Sequence, residues 1–243
     1  DNESIAKKAS EGLSHGLGNG VSSAVIGRST EERLLERELS DFYAKEDCLL
    51  YSSCFDVNES IFESLLSERD TIVSDRMNHA SIINGIRLSS AQRLLYSFND
   101  PSSLLEKLQQ VETSRGAKTV IVTDGVFSMD GEIAKLTDVV RHAKATNSLV
   151  MVDECHGTGV VGRSGQGACE ETNTLADIDI ITSTLGKTLG GGIGGFVTGS
   201  GKHIDQLRKT SHNYLHSVSL PIHAIVAYRE ALRILKEEPS RLV

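Results

Sequence analysis

The sequence predicts an α/β fold with three α/β/α layers, in which helices cover both faces of a mainly parallel sheet. Three observations carry that expectation. Short apolar or β-branched runs alternate with amphipathic stretches along most of the chain, the pattern of repeated βαβ units. Several of these runs are apolar at consecutive positions, as strands buried on both faces are. The 243 residues, 39% hydrophobic and 24% charged, can bury one large core, and no repeat, low-complexity tract or Pro/Ser-rich linker divides them.

Residues 31–45 carry Leu34, Leu35, Leu39, Phe42 and Tyr43 at helical spacing. Ser29 and Thr30 stand before them as candidate caps, so the stretch reads as an amphipathic helix packed on something flat. Strands are expected at 48–51, 71–74, 94–98, 119–123, 148–152, 178–182 and 195–198. Further helices are expected at 102–113, 136–145, 202–211 and 224–238.

Composition removes several function classes. No run approaches the roughly 18 uncharged apolar residues of a membrane span, and stretches such as 149–152 end in a charge, so no membrane partner is expected. Lys plus Arg total 25 against 33 Asp plus Glu, a net charge of -8, with no run of like charges to serve as a basic arm. A nucleic-acid backbone binder works by clustered cations and is disfavoured. Cys48, Cys54, Cys155 and Cys169 form neither CxxC pairs nor a zinc-type Cys/His spacing, and read as ordinary thiols in a reducing compartment. The chain opens on Asp1 with no signal core or transit stretch after it and reads as trimmed.

In a parallel sheet, ligands sit beyond the carboxyl ends of the strands. The loops after the expected strands gather ionisable and hydroxyl residues at 51–58, 74–81, 124–131, 153–159 and 183–188. Asp153 could be the acidic box of a P-loop ATPase with Gly186-Lys187-Thr188 as its phosphate loop. That loop needs a glycine where Ile181 stands, and it should precede the acidic strand rather than follow it. Gly190, Gly192 and Gly195 satisfy a dinucleotide fingerprint, but a lysine-containing turn separates them from the preceding strand. Their plainer reading is close backbone approach or positive φ. A metal site from His79, Asp153 and His156 has no supporting spacing, and no metal is expected.

The same loops, in order from residue 20 to 221, resemble the α-oxoamine synthase group of fold type I pyridoxal-phosphate (PLP) enzymes. Tyr51-Ser-Ser-Cys-Phe-Asp-Val-Asn58, Asn78-His-Ala-Ser-Ile-Ile83 and Thr123-Asp-Gly-Val-Phe-Ser-Met-Asp-Gly131 most resemble its glycine C-acetyltransferase branch. The branches making 8-amino-7-oxononanoate, 5-aminolevulinate and the sphingoid precursor share the equivalents of Lys187 and Asp153.

The resemblance implies that residues 1–243 are the PLP-binding major domain of the aspartate aminotransferase-like fold, without the smaller C-terminal domain and its carboxylate-gripping arginine. Lys187 would hold the cofactor aldehyde as a Schiff base, and Asp153 would pair with the pyridinium nitrogen. Taken alone, a turn lysine such as Lys187 is usually just solvated, and Asp153 reads also as a helix cap. His79 matches the histidine that stacks on the ring. Ser128 and His156 match residues that bond the ring hydroxyl and tune the imine. Ser53, Cys54 and Phe55, at an expected helix N-terminus, and the Thr184 hydroxyl would hold the phosphate, which makes Cys54 a positional residue and not a nucleophile. Ser217 resembles a residue that reaches the neighbouring subunit's phosphate, although Val218 and His216 depart from the pattern there.

The implied activity is condensation of glycine with acetyl-CoA to 2-amino-3-ketobutyrate and CoA, run in reverse during threonine degradation, with Lys187 as general base. A homodimer with sites at the subunit interface is implied, in the mitochondrial matrix of a eukaryote or the cytoplasm of a bacterium. The alternatives are another α-oxoamine synthase, or a non-catalytic fold type I subunit, which would lack the lysine.

Overall fold

The computed structural model describes residues 2–14, 16, 21–22, 25, 27–112 and 116–242. Among them the chain runs α1 (Glu3–Leu13), α2 (Thr30–Phe42), β1 (Asp47–Tyr51), α3 (Cys54–Leu65), β2 (Thr71–Asp75), α4 (Ala80–Leu88) and β3 (Gln92–Tyr96). It continues through α5 (Pro101–Leu108), β4 (Thr119–Asp124), α6 (Leu136–Thr146), β5 (Leu149–Asp153) and α7 (Ala168–Glu171). Then come β6 (Ile180–Thr184), β7 (Gly195–Gly199), α8 (Gly201–Thr210), α9 (His212–His216) and α10 (Ile222–Glu237).

Local chemistry sets the helix starts. Ser29 opens α2 through a capping box, its Oγ accepting from Glu32 N at 3.1 Å while Glu32 Oε2 accepts from Ser29 N at 2.6 Å. Ser29 is therefore the cap and Thr30 the first helical residue. Asp100 caps α5, with Pro101 at the first helical position, where its missing N–H costs nothing. Regular helix there ends at Leu108, short of the expected 113. Thr113, like Gly20 where the resemblance begins, lies outside the described residues.

The sheet order is β1-β7-β6-β5-β4-β2-β3, and of its seven strands only β7 runs antiparallel to its neighbours. Alternate strand residues feed two cores. Val150 and Val152 join α2, α5, α6 and α10 on one face, where Leu39, Leu104, Val139 and Leu232 are buried. Met151 between them joins α3, α4 and α8 on the other, against Val57, Ile82 and Leu207. This period-two division makes the three layers. No described helix is long and apolar enough to cross a membrane.

The carboxyl edge of the parallel strands therefore presents Tyr51, Thr184, Asp153, Asp124 and Asp75 in a row. Because β7 is reversed, it enters at this edge with Gly195, in register with both Tyr51 and Thr184. A Cβ on Gly195 would lie 2.2 Å from Cys54 N. Only glycine lets β7 approach the first turn of α3, and this explains the end of the glycine cluster better than nucleotide binding does. The dinucleotide reading also fails on topology, since a strand and not a helix follows these glycines.

Candidate active site

Asp153 ends β5 with 4% of its surface exposed. It caps no helix, since the next one begins at Ala168. Its Oδ2 accepts from Asn58 Nδ2 at 2.6 Å and Thr182 Oγ1 at 3.1 Å, and its Oδ1 accepts from Cys155 N at 2.8 Å. Three donors from three elements fix the orientation of the carboxylate at the edge of the sheet.

Asn58 extends this network, donating also to Ser81 Oγ at 3.0 Å, which in turn bonds His79 Nδ1 at 2.7 Å. His79 is the N-cap of α4: its Nδ1 accepts from Ser81 N at 3.2 Å, and its own backbone N donates to Asp124 Oδ2 at 3.0 Å. A continuous hydrogen-bonded path thus runs from the exposed His79 ring through Ser81 and Asn58 to Asp153.

Lys187 stands exposed in the turn after β6, whose carbonyl accepts from Gly191 N at 2.9 Å. Its Nζ lies 2.8 Å from His156 Nε2. Burial, then the nearby Lys187 ammonium, holds the His156 pKa below the ordinary imidazole value, so a neutral ring accepts from the amine.

Ser53 is the N-cap of α3. Its Oγ accepts from Asp56 N at 3.1 Å and donates to Asp56 Oδ2 at 2.9 Å. Cys54 and Phe55 open the helix, where amides and macrodipole favour an anion. Thr184 Oγ1 accepts from Gly186 N at 3.0 Å and donates to Gly194 O at 3.2 Å. Ser128 lies exposed in the turn between the paired Val126 and Ile133. Ser217 lies half-buried beside Tyr51, Ser52 and Val218. Among the described residues neither makes a hydrogen bond to the Asp153 and Lys187 cluster.

Four contributors were not singled out from sequence. Asn58 and Thr182 hold Asp153, and their partnership becomes visible only with the α3 packing and the β5–β6 register, which pairs Asp153 with Thr182. Asp124 is in register with Asp153 on the adjoining strand. Burial, then the Asp153 charge, pushes its pKa up to about 8, which keeps it neutral near pH 7. Glu154 is wholly buried and accepts from Ala168 N at 3.0 Å and Cys169 N at 2.8 Å, closing the loop that carries His156 onto α7.

Burial raises Glu154 from 4.5 to about 7 and Asp124 from 3.8 to about 8. At low pH both groups are protonated in either state and the fold has its full contribution. As pH rises, the unfolded chain releases these protons first, so stability is lost up to the folded values. His156 and His203, lowered by burial from 6.5, act in the opposite sense but below that value. Urea unfolding free energy is therefore expected to fall from pH 6.5 to 8, and a rise across that window would contradict the assignment.

Residues 2–242 match the family described as aminotransferase class I and II. The chain is also 42% identical over 223 residues to the 2-amino-3-ketobutyrate coenzyme A ligase of Salmonella typhimurium, covering 92% of this chain and 56% of that protein. The chain belongs to the aminotransferase class I and II family. The mitochondrial 2-amino-3-ketobutyrate coenzyme A ligase of Mus musculus is 43% identical, covering 91% of this chain and 53% of that one. A solved structure of SPT (serine palmitoyltransferase) with PLP as internal aldimine superposes with a TM-score of 0.92 at 27% identity, over 99% of this chain and 61% of that one. The chain thus spans a little over half the length of the curated relatives it matches. The α-oxoamine synthase resemblance and the fold type I architecture read from the loops both stand.

Proposed function

We propose that this chain carries the cofactor site of a PLP-dependent acyltransferase that joins glycine and acetyl-CoA to give 2-amino-3-ketobutyrate and CoA, or runs the reverse in threonine breakdown. The observation that carries the reading is the pairing of a buried, triply held carboxylate, Asp153, with an exposed amine, Lys187, at one edge of the sheet. The donor set fits PLP: a carboxylate for the ring nitrogen, an amine for the aldehyde and a helix N-terminus for the phosphate.

Bound PLP supplies an aldehyde that takes up an amine and a ring that withdraws electron density from the substrate Cα. Asp153 would pair with the ring nitrogen, and its three donors keep the carboxylate from turning away. Lys187 would hold the aldehyde, and its Nζ, when free, would serve as the general base for the glycine Cα proton. His156 is placed to accept from Lys187 Nζ and orient it. The His79 ring, fixed by Ser81, would cover one face of the cofactor. The Cys54 and Phe55 amides, with Ser53 shaping the turn and Thr184 beside it, take the phosphate. Ser128 is assigned to the ring hydroxyl, and Ser217 to the phosphate of a second subunit in a homodimer.

The relatives' names favour acetyl-CoA as acyl donor. CoA release measured with glycine and acetyl-, succinyl-, pimeloyl- or palmitoyl-CoA tests this. Acetyl-CoA is expected to exceed the others in kcat/KM by at least about tenfold. A preference for a longer donor would reassign the chain to a sister synthase.

A further inference from the structure

The cysteines on either side of Asp153 take no chemical part in the proposed reaction. Yet Cys54 Sγ, a carboxylate oxygen of Asp153 and Cys155 Sγ all lie within 4.8 Å of one another. Cys54 Sγ donates to Asp153 Oδ2 at 3.7 Å, and Cys155 Sγ completes the group. Cys54 and Asp153 are buried and Cys155 is half-buried. Two rigid elements, the first turn of α3 and the end of β5, hold the three together.

We propose that these three side chains form a binding site for a thiophilic divalent cation of the Zn2+ class when the cofactor is absent. Two sulfurs and one carboxylate oxygen are ligands that Zn2+ accepts, with water completing a tetrahedron. Zn–S bonds of about 2.3 Å put the sulfurs of a tetrahedral site about 3.8 Å apart, within the spread these atoms already have. Sulfur ligands exclude the hard cations Mg2+ and Ca2+. Asn58 Nδ2, Thr182 Oγ1 and Cys155 N already orient the carboxylate, an outer shell of the kind that metal ligands require. On loading, two S–Zn bonds and one O–Zn bond form and two thiol protons pass to solvent, with no change of oxidation state.

The site would occupy the same carboxylate that serves the cofactor's ring nitrogen, so cation and PLP exclude one another. That exclusion rests on the proposed cofactor reading, whereas the cation site itself rests only on the three side chains. Zinc would thus act as an inhibitor of cofactor loading.

The test uses the 243-residue chain freed of cofactor. Titration with Zn2+ by calorimetry, and with Co2+ by its sulfur charge-transfer absorption, is expected to show one cation per chain and none with Mg2+. Cys54→Ser or Cys155→Ser should each weaken binding by at least about a hundredfold, and Cys169→Ser, in the core on the other face of the sheet, should not. Unchanged affinity in both cluster variants, or no thiolate absorption with Co2+, would overturn the site. PLP added to the zinc-loaded chain is expected to release the metal into a chelating indicator. Zinc retained while PLP binds Lys187 would refute exclusion alone, and failure of PLP to bind the metal-free chain would refute the cofactor reading and leave the metal site standing.

Discussion

Lys187→Ala is expected to lower glycine-dependent CoA release by on the order of a hundredfold to ten-thousandfold, the span associated with losing a positioned proton carrier. The substitution removes both the group that anchors the aldehyde and the base that takes the Cα proton. Its structural cost is small, because Lys187 is exposed and, among the described residues, its side chain hydrogen-bonds His156 alone. Exchange of the glycine α-proton with deuterated solvent, followed by NMR, isolates the proton step from acyl transfer. Exchange should fall in parallel with CoA release. A variant that exchanges at the native rate would move the base to another residue, with His79 the first candidate by position.

Asp153→Asn is expected to cost on the order of a hundredfold to a thousandfold in kcat, as losing one preorganised electrostatic contact to developing charge does. The shape is kept and Oδ1 can still accept from Cys155 N, but the charge opposite the ring nitrogen is gone. The new amide also meets the donors Asn58 Nδ2 and Thr182 Oγ1 in place of an acceptor. The loss should fall on kcat more than on KM, because the charge matters most as electron density moves into the ring. A change confined to KM would show that Asp153 merely helps bind substrate.

The parts of this site legible in the sequence are those that sit immediately after strands. Asp153 and Lys187 follow apolar runs, and the topology of a parallel sheet makes such positions converge. Of α3 only the N-terminus at Cys54 and Phe55 was expected, and α4 was not, even though Val57, Ile61, Phe62 and Leu65 fall at helical spacing. Polar Asn58 and Ser60 interrupt that stripe, and Ser81 does the same in α4. All three are buried, and Asn58 and Ser81 form the path to Asp153. A buried polar network reads in sequence as a solvent-facing loop until its partners are known. The reversed direction of β7 is likewise a matter of long-range pairing, and with it the closeness of Gly195 to Cys54, which no local pattern encodes.

The most direct test of the central claim is borohydride reduction of the protein in the presence of PLP, with the visible spectrum recorded before and after and the adduct located by peptide mapping. A single stable pyridoxyl adduct on Lys187 is the expected result. No adduct, or label scattered over surface lysines with Lys187 unmodified, would contradict it.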